Sequence, residues 1–352
     1  MRRLRADGLP ADRFELGNEL YLRIWSRQTP NAGVYARKAE AHAREVKAVF
    51  PRAKVSVCIT APLAAIAEYG NPRVPAWDGR LARASFYDAV VLHAYAMSGD
   101  LGDMADVSAD EYVRWALIRS SEAYLGRLYG WLARVFPGRE IWMTEWNLNN
   151  NIYERGHRSE GSSFQPARTI LTGLFAANVL LNTAAHPSDV TVASIWQICG
   201  EPEFGLISGK PPREQPEFHV FRMLSPAVHA CDGIAPIDLP GAPRLRGPGR
   251  FAGLEAPAVD GFAFFSGRSP RYLAFVNFTD RSVAVRLSPG LPCEVETLTA
   301  PEMLPGWGSA DNGPLDSWAP PYELRRARMA TGALVLAPRS FSVATIVAPD
   351  TR

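Results

Sequence analysis

The sequence predicts an α/β fold built on a parallel sheet, joined to an all-β antiparallel sandwich. Three observations carry this reading. Up to about Met223, short apolar runs alternate with long helical patterns, the signature of βαβ units. Beyond about Gly233 the chain becomes a series of short runs, several alternating with period 2, separated by Pro and Gly. A chain of 352 residues with 47% hydrophobic and 10% aromatic side chains can fill two cores, at roughly 150 residues each. The predicted domains are 1–232 and 233–352.

The elements follow in order. Phe14-Glu15-Leu16 is the first strand, ending at Gly17-Asn18-Glu19. A helix is predicted from Asn31 to Phe50, where Tyr35, Ala39, His42, Val46 and Val49 recur three and four apart on one face. Lys54 to Ile59 is the next strand, then Ala89 to Leu92, which leads into His93-Ala94-Tyr95. Ser108 and Glu111 frame a capping box that opens a long helix to about Phe136. Glu140 to Thr144 is a strand ending at Glu145, Pro166 to Asn182 an apolar helix, and Asp189 to Ile195 a strand ending at Trp196. The second domain offers strands at Phe262 to Ser266, Tyr272 to Phe278, Val283 to Leu287, Val295 to Leu298, Leu334 to Leu336 and Phe341 to Val347. Pro and Gly cluster from Pro236 to Pro257, the approach to the sandwich, and from Pro301 to Pro321, a long loop inside it.

Composition excludes several function classes. Lys plus Arg number 38 and Asp plus Glu 36, a net charge of +2, which argues against a polybasic nucleic-acid binder and an acidic disordered tail. The basic residues are scattered, apart from Leu324-Arg325-Arg326-Ala327-Arg328. No apolar run reaches the roughly 20 residues of a membrane span. Neither nucleic acid nor membrane is an expected partner. Cys58, Cys199, Cys231 and Cys293 lie far apart with no C-x-x-C pair, and they read as buried free thiols rather than a disulfide framework or a metal site. The basic start Met1-Arg2-Arg3-Leu4-Arg5 has no apolar segment behind it and is no secretory signal. Gly205 to Lys210 is not a phosphate loop, because three residues rather than four separate its glycines and Pro211-Pro212 follow. G-x-S-x-G and H-E-x-x-H are absent, so serine-hydrolase and zinc-peptidase chemistry lack support. Asn277-Phe278-Thr279 is a glycosylation sequon within a strand pattern and reads as chance.

The functional signal lies in polar residues at the C-terminal ends of the predicted parallel strands. Glu19 ends one strand, His93 and Tyr95 follow another, Glu145 ends a third and Trp196 a fourth. In barrels of this type that rim carries the site. Two carboxylates in one aromatic-lined cleft are what glycosidic bond cleavage requires. One must be protonated, to give its proton to the leaving oxygen; the other must be ionised, to attack the anomeric carbon or activate water. Burial and neighbouring charge hold the two in different states.

Phe14-Glu15-Leu16-Gly17-Asn18-Glu19 resembles the strand-4 G-N-E signature of clan A retaining glycoside hydrolases. Trp142-Met143-Thr144-Glu145-Trp146-Asn147 resembles their strand-7 T-E-x-N nucleophile segment. The chain is most similar to family 51 α-L-arabinofuranosidases, and less so to family 79 (β-glucuronidase-type) and family 39 (β-xylosidase-type) enzymes. The resemblance runs from about Phe14 to Val347 in architecture, and only the two motifs are specific. It implies a (β/α)8-type barrel, here strands 4 to 8, followed by a C-terminal antiparallel β-sandwich. It implies Glu19 as general acid/base, Glu145 as nucleophile, Asn18 as the ligand of the sugar 2-hydroxyl, Tyr95 as a hydrogen-bond partner of the nucleophile beside His93, and Trp196 as an aromatic wall. A flat apolar ring suits the C–H face of a sugar. No cofactor and no metal are implied. The implied partner is an oligo- or polysaccharide, and a homo-oligomer is compatible with the resemblance.

The strand count departs from that pattern. With Phe14 on strand 4, the 13 residues before it cannot supply strands 1 to 3. The expectation is a fragment or a mis-started reading frame of a longer enzyme, with localisation open, and cytoplasmic if Met1 is the true start. Plainer readings stand beside the functional ones. His93 is also readable as a hydrogen-bonded core histidine, and Trp196 as packing at the rim. Trp115, Trp131 and Trp142 read as packing of strands and helices. Asn149, Asn150, Asn151 and Glu154 read as a solvated loop. The functional expectation is a retaining glycosidase that removes α-L-arabinofuranosyl groups. The competing expectations are a β-glucuronidase- or β-xylosidase-type hydrolase and a non-catalytic carbohydrate-binding remnant.

Overall fold

The computed structural model describes residues 8, 11–61, 74–101, 107–149, 168–187, 189–199, 205–209, 211–287, 292–305, 307, 321–329 and 332–347. The chain forms two compact units. One takes Met1–Met97, Gly126–Trp146 and Pro187–Trp196; the other takes Ser98–Leu125, Asn147–His186 and Gln197–Arg352. Asn150, Asn151, Glu154 and Lys210 lie outside the described residues, as does most of the Pro301 to Pro321 loop.

The first unit is a parallel half-barrel. Its strands are β1 (Arg13–Glu15), β2 (Lys54–Cys58), β3 (Ala89–His93), β4 (Glu140–Glu145) and β5 (Val190–Ala193). They lie side by side in sequence order, and every pairing is parallel. The middle strands read as unbroken apolar runs because both of their faces are covered; Val55, Val57 and Ala89 to Leu92 are all buried. β1 and β5, each with one strand neighbour, stay partly exposed. Register places Phe14, Val55, Val57, Val90 and Ile141 on one face, and Glu15, Ser56, Ala89, Val91 and Trp142 on the other.

Helix α1 (Ala32–Val49) starts where the Asn31 side chain accepts the Val34 N–H. Its Tyr35 is buried and its hydroxyl ties two strand ends together: it donates to the Leu16 carbonyl at 2.9 Å and accepts the Cys58 N–H at 2.9 Å. The short helix α2 (Val74–Leu81) has no sequence signal, since Pro75 and Gly79 interrupt its pattern. It fastens the end of β2 instead. The buried Asp78 carboxylate accepts the N–H groups of Thr60 and Ala61 and the Thr60 hydroxyl, and Trp77 Nε1 donates to the Cys58 carbonyl.

The second unit holds α3 (Ala109–Ser120), α5 (Ile170–Ala185), α6 (Pro216–Ala230) and the sandwich, while α4 (Glu122–Val135) follows α3 after one residue. The capping box of Ser108 and Glu111 forms as predicted. The single helix predicted to Phe136 is two, because Ser121 is extended (φ −86°, ψ 160°). The Ser120 and Ser121 hydroxyls bond back to carbonyls of the preceding turn, competing with helix continuation. In the sandwich, β6 (Gly233–Pro236), β7 (Val259–Ser266), β8 (Ser269–Asn277), β9 (Val283–Arg286), β10 (Cys293–Thr299), β11 (Glu323–Met329), β12 (Ala333–Leu336) and β13 (Ser340–Ile346) follow in order. Six form an antiparallel sheet, β6-β7-β8-β13-β10-β11, and β9 pairs with β12. Leu273, Phe275, Val295 and Ala344 of the larger sheet pack with Val285, Leu334 and Leu336 of the smaller.

Sequence reading missed α6 and β11. Pro226 lies inside α6, where its missing N–H and its ring disguise the helical pattern. β11 is an edge strand whose residues are nearly all exposed, so no alternation of apolar and polar residues marks it. The cysteine prediction needs a correction. All four are free, but Cys199 is exposed and Cys231 half-buried, because both lie beyond the ends of helices and strands rather than in a core. Asn277 is fully buried and its amide donates to the carbonyls of Arg281 and Ala337, which closes the sequon to modification. Among the described residues no helix is long and apolar enough to cross a membrane.

Candidate active site

The site stands at the C-terminal ends of β1, β3 and β4. After β1 the chain reverses sharply. Gly17 has φ +106°, and a Cβ there would fall 2.5 Å from Leu20 Cδ1. Only glycine meets both demands. Glu19 itself has φ +47°, a left-handed conformation that costs a residue with a side chain about 1–3 kcal/mol. The G-N-E motif is therefore a backbone device. Glycine permits the turn, and the strained residue after it carries the carboxylate.

Four predicted residues meet directly. Glu19 Oε1 lies 2.9 Å from Nδ1 of His93, and the same Nδ1 lies 3.5 Å from Oε2 of Glu145. Those two oxygens are no further apart than the sum of these distances. That bound is compatible with the roughly 5–5.5 Å between the carboxyl groups of a retaining pair. Tyr95 Oη donates to Glu145 Oε2 at 2.9 Å. A register shift between Val91 and His93 brings His93 opposite Glu145 across the β3–β4 pair, and the Ala94 N–H bonds the Glu145 carbonyl.

The remaining two predicted residues are placed at the same rim. Asn18 is exposed in the turn beside Glu19. Trp196 is 38% exposed, with its N–H on the Trp146 carbonyl. Trp115 and Trp142 are buried packing residues, and the Trp131 ring packs edge-on against Phe136.

Two residues went unread in the sequence. Tyr21 Oη donates to Glu19 Oε1 at 3.2 Å, a contact created by the left-handed turn between them. Glu15 comes four residues before Glu19 on β1, on the face that register assigns to Val91. Its carboxyl pKa is raised, chiefly by desolvation among surrounding protein atoms, although one side of the residue is open; His93 lowers it, and Glu145 and Glu19 raise it further. A carboxylate spaced four before Glu19 was the available signal. The Tyr21 hydroxyl is itself held far above the usual phenol range by burial and by Glu19.

Hydrogen bonding differentiates the four carboxylate oxygens. On Glu19, both described donors fall on Oε1. On Glu145, Tyr95 donates to Oε2 and His93 stands near the same atom. The His93 side chain is only 5% exposed. Burial opposes its protonation, but the Glu19 hydrogen bond and the charges of Glu145, Glu19 and Glu15 prevail and raise its pKa.

No protein-family model and no curated protein matches the sequence. Solved structures do match the fold. The chain is similar to the α-L-arabinofuranosidase of Thermotoga maritima, solved in complex with arabinose, with TM-score 0.62 and 18% identity over 94% of this chain and 65% of that one. It is similar to the family 51 arabinofuranosidase of Xanthomonas axonopodis pv. citri, with TM-score 0.64 and 18% identity over 97% and 68%. A 4-O-α-L-rhamnosyl-β-D-glucuronidase of Fusarium oxysporum matches with TM-score 0.56 and 14% identity over 97% and 71%. The chain thus shares the fold of these glycoside hydrolases while spanning 65% of the Thermotoga maritima enzyme.

Proposed function

We propose that this chain carries the catalytic carboxylate pair of a retaining glycoside hydrolase acting on α-L-arabinofuranosides of oligo- or polysaccharides. The observation that supports this most directly is the meeting of Glu19 and Glu145 at one nitrogen of His93. Glu145 Oε1 attacks the anomeric carbon while Glu19 Oε2 gives its proton to the departing glycosidic oxygen. The product is a glycosyl ester on Glu145 and a free alcohol. Glu19, now ionised, takes a proton from water; the resulting hydroxide attacks the same carbon and Glu145 departs as a carboxylate. Two inversions give net retention. Trp196 is the proposed wall for the C–H face of the sugar, and Asn18 the partner of its 2-hydroxyl.

The test is hydrolysis of an aryl α-L-arabinofuranoside. Glu145→Ala abolishes turnover, and azide restores part of it with inverted glycosyl azide as product. Glu19→Ala slows poor leaving groups far more than good ones. An unchanged rate in Glu145→Ala overturns the assignment. A second reading is a non-catalytic carbohydrate-binding protein with the same fold. Binding of arabinosyl or xylosyl oligosaccharides without any turnover by the wild-type chain distinguishes it.

A further inference from the structure

Two cavities adjoin on the six-stranded sheet, within the second unit. One, of about 420 Å³, is lined by Arg222 and by Tyr272, Glu294, Glu296, Arg326 and Arg328 among others. The other, of about 300 Å³, is lined by Ser266, Arg271, Tyr272 and Thr345 among others. Both volumes fall in the range of roughly 300–1,000 Å³ common for small-ligand sites. Tyr272 and Thr345 line both, so the two are consecutive stretches of one trough.

Strand register builds the trough. Tyr272, Thr345, Glu294 and Arg328 stand side by side across β8, β13, β10 and β11, and Ala274, Val343, Glu296 and Arg326 form the next row. Their chain neighbours Leu273, Ala344 and Val295 point the other way, into the sandwich core. The alternation that fills the core therefore sets an aromatic ring, a hydroxyl, a carboxylate and a guanidinium in a line on the opposite face.

Charge in the trough is unbalanced toward arginine. Glu296 is already engaged by Arg222 at 2.6 Å and Arg326 at 3.4 Å. Glu294 has the exposed Arg328 opposite it in register. Arg271, left unpaired by the register shift that sets Phe264 opposite Tyr272 and Phe265 opposite Pro270, lines the other end beside Tyr272 and has no carboxylate within ion-pair distance among the described residues. Two carboxylates thus face four guanidinium groups, with Tyr272 between Arg271 and Arg328.

We propose that this trough binds an acidic oligosaccharide whose rings carry carboxylates, with Tyr272 under the C–H face of one ring and Arg271 and Arg328 taking the carboxylates of the rings on either side. Guanidinium pairs with carboxylate through two parallel hydrogen bonds, and lysine cannot reproduce that geometry. Tyrosine offers an apolar face and a polar tip, as a sugar does. The inference is independent of the catalytic reading, because it concerns binding alone.

Titration calorimetry of the Glu145→Gln chain tests it, with tetragalacturonate as the probe, xylotetraose as the neutral sugar and polyglutamate as the non-sugar polyanion. Tetragalacturonate binds, while xylotetraose and polyglutamate bind at least tenfold more weakly. Arg328→Ala and Arg271→Ala each weaken tetragalacturonate binding by roughly tenfold or more, Arg328→Lys recovers only part, and Tyr272→Phe retains binding that Tyr272→Ala loses. Arg271 and Arg328 are exposed, so their variants keep the wild-type melting temperature. Absence of tetragalacturonate binding overturns the proposal. So does binding of xylotetraose or polyglutamate at equal strength, or binding indifferent to Arg328 and Tyr272.

Discussion

His93 Nδ1 lies 2.9 Å from Oε1 of Glu19, so the strained turn after β1 is held to the end of a strand two places away in the sheet. The bond sets the position of the proposed acid and helps to raise the imidazole pKa.

The raised pKa of His93 has a pH signature. Stability from a group whose folded pKa is raised is complete below its unfolded value, about 6.5 for histidine, and is lost as pH rises through the folded value. His93→Gln therefore lowers the melting temperature more at about pH 5.5 than at about pH 9. Equal losses at both would mean that His93 is not an imidazolium here.

Tyr95 donates its hydroxyl to Glu145 Oε2. Tyr95→Phe removes a hydrogen bond to a charged group, worth about 1.5–3 kcal/mol. With an aryl α-L-arabinofuranoside as substrate, kcat falls by roughly tenfold to a hundredfold at little change in KM. A rise in KM at unchanged kcat assigns Tyr95 to substrate binding instead.

Glu217 on α6 is 4% exposed, and burial pushes its carboxyl up to about 7, against the pull of Thr172 and Arg168. A carboxyl with a raised folded pKa gives full stability below its unfolded value, about 4.3, and loses it as pH climbs toward 7. Glu217→Gln is neutral throughout. Thermal melts show little difference from wild type near about pH 4.5 and a more stable variant at about pH 8, by on the order of a few kcal/mol at most. A less stable variant at pH 8 would show that Arg168 requires the anion.

Helix α5 meets the start of α6 at Gly173. A Cβ there would lie 2.8 Å from Pro216 Cβ and 3.3 Å from its carbonyl carbon, and neither a proline ring nor a backbone can rotate away. Gly173→Ala costs about 1–3 kcal/mol by overpacking. Gly130→Ala on α4 meets only the flexible end of Arg134, at 3.6 Å, and gains up to about 1 kcal/mol from helix propensity. Melting temperatures of the two variants move in opposite directions.

The sequence by itself determined the parallel strands, because a strand covered on both faces must be apolar throughout. It determined the sandwich strands, because one buried face imposes period 2. It also marked Glu19, Glu145, His93 and Tyr95, since each stands where a strand stops. It carried no sign of α6 or β11, where an internal proline and an exposed edge erase the periodicity. Tertiary structure alone decided that Tyr21 turns back onto Glu19 and that one imidazole nitrogen stands near both acids. The reason is physical. Periodicity reports which face of an element is buried. The few ångströms between side chains depend on a left-handed backbone angle and a register shift, and neither leaves a repeating pattern in the chain.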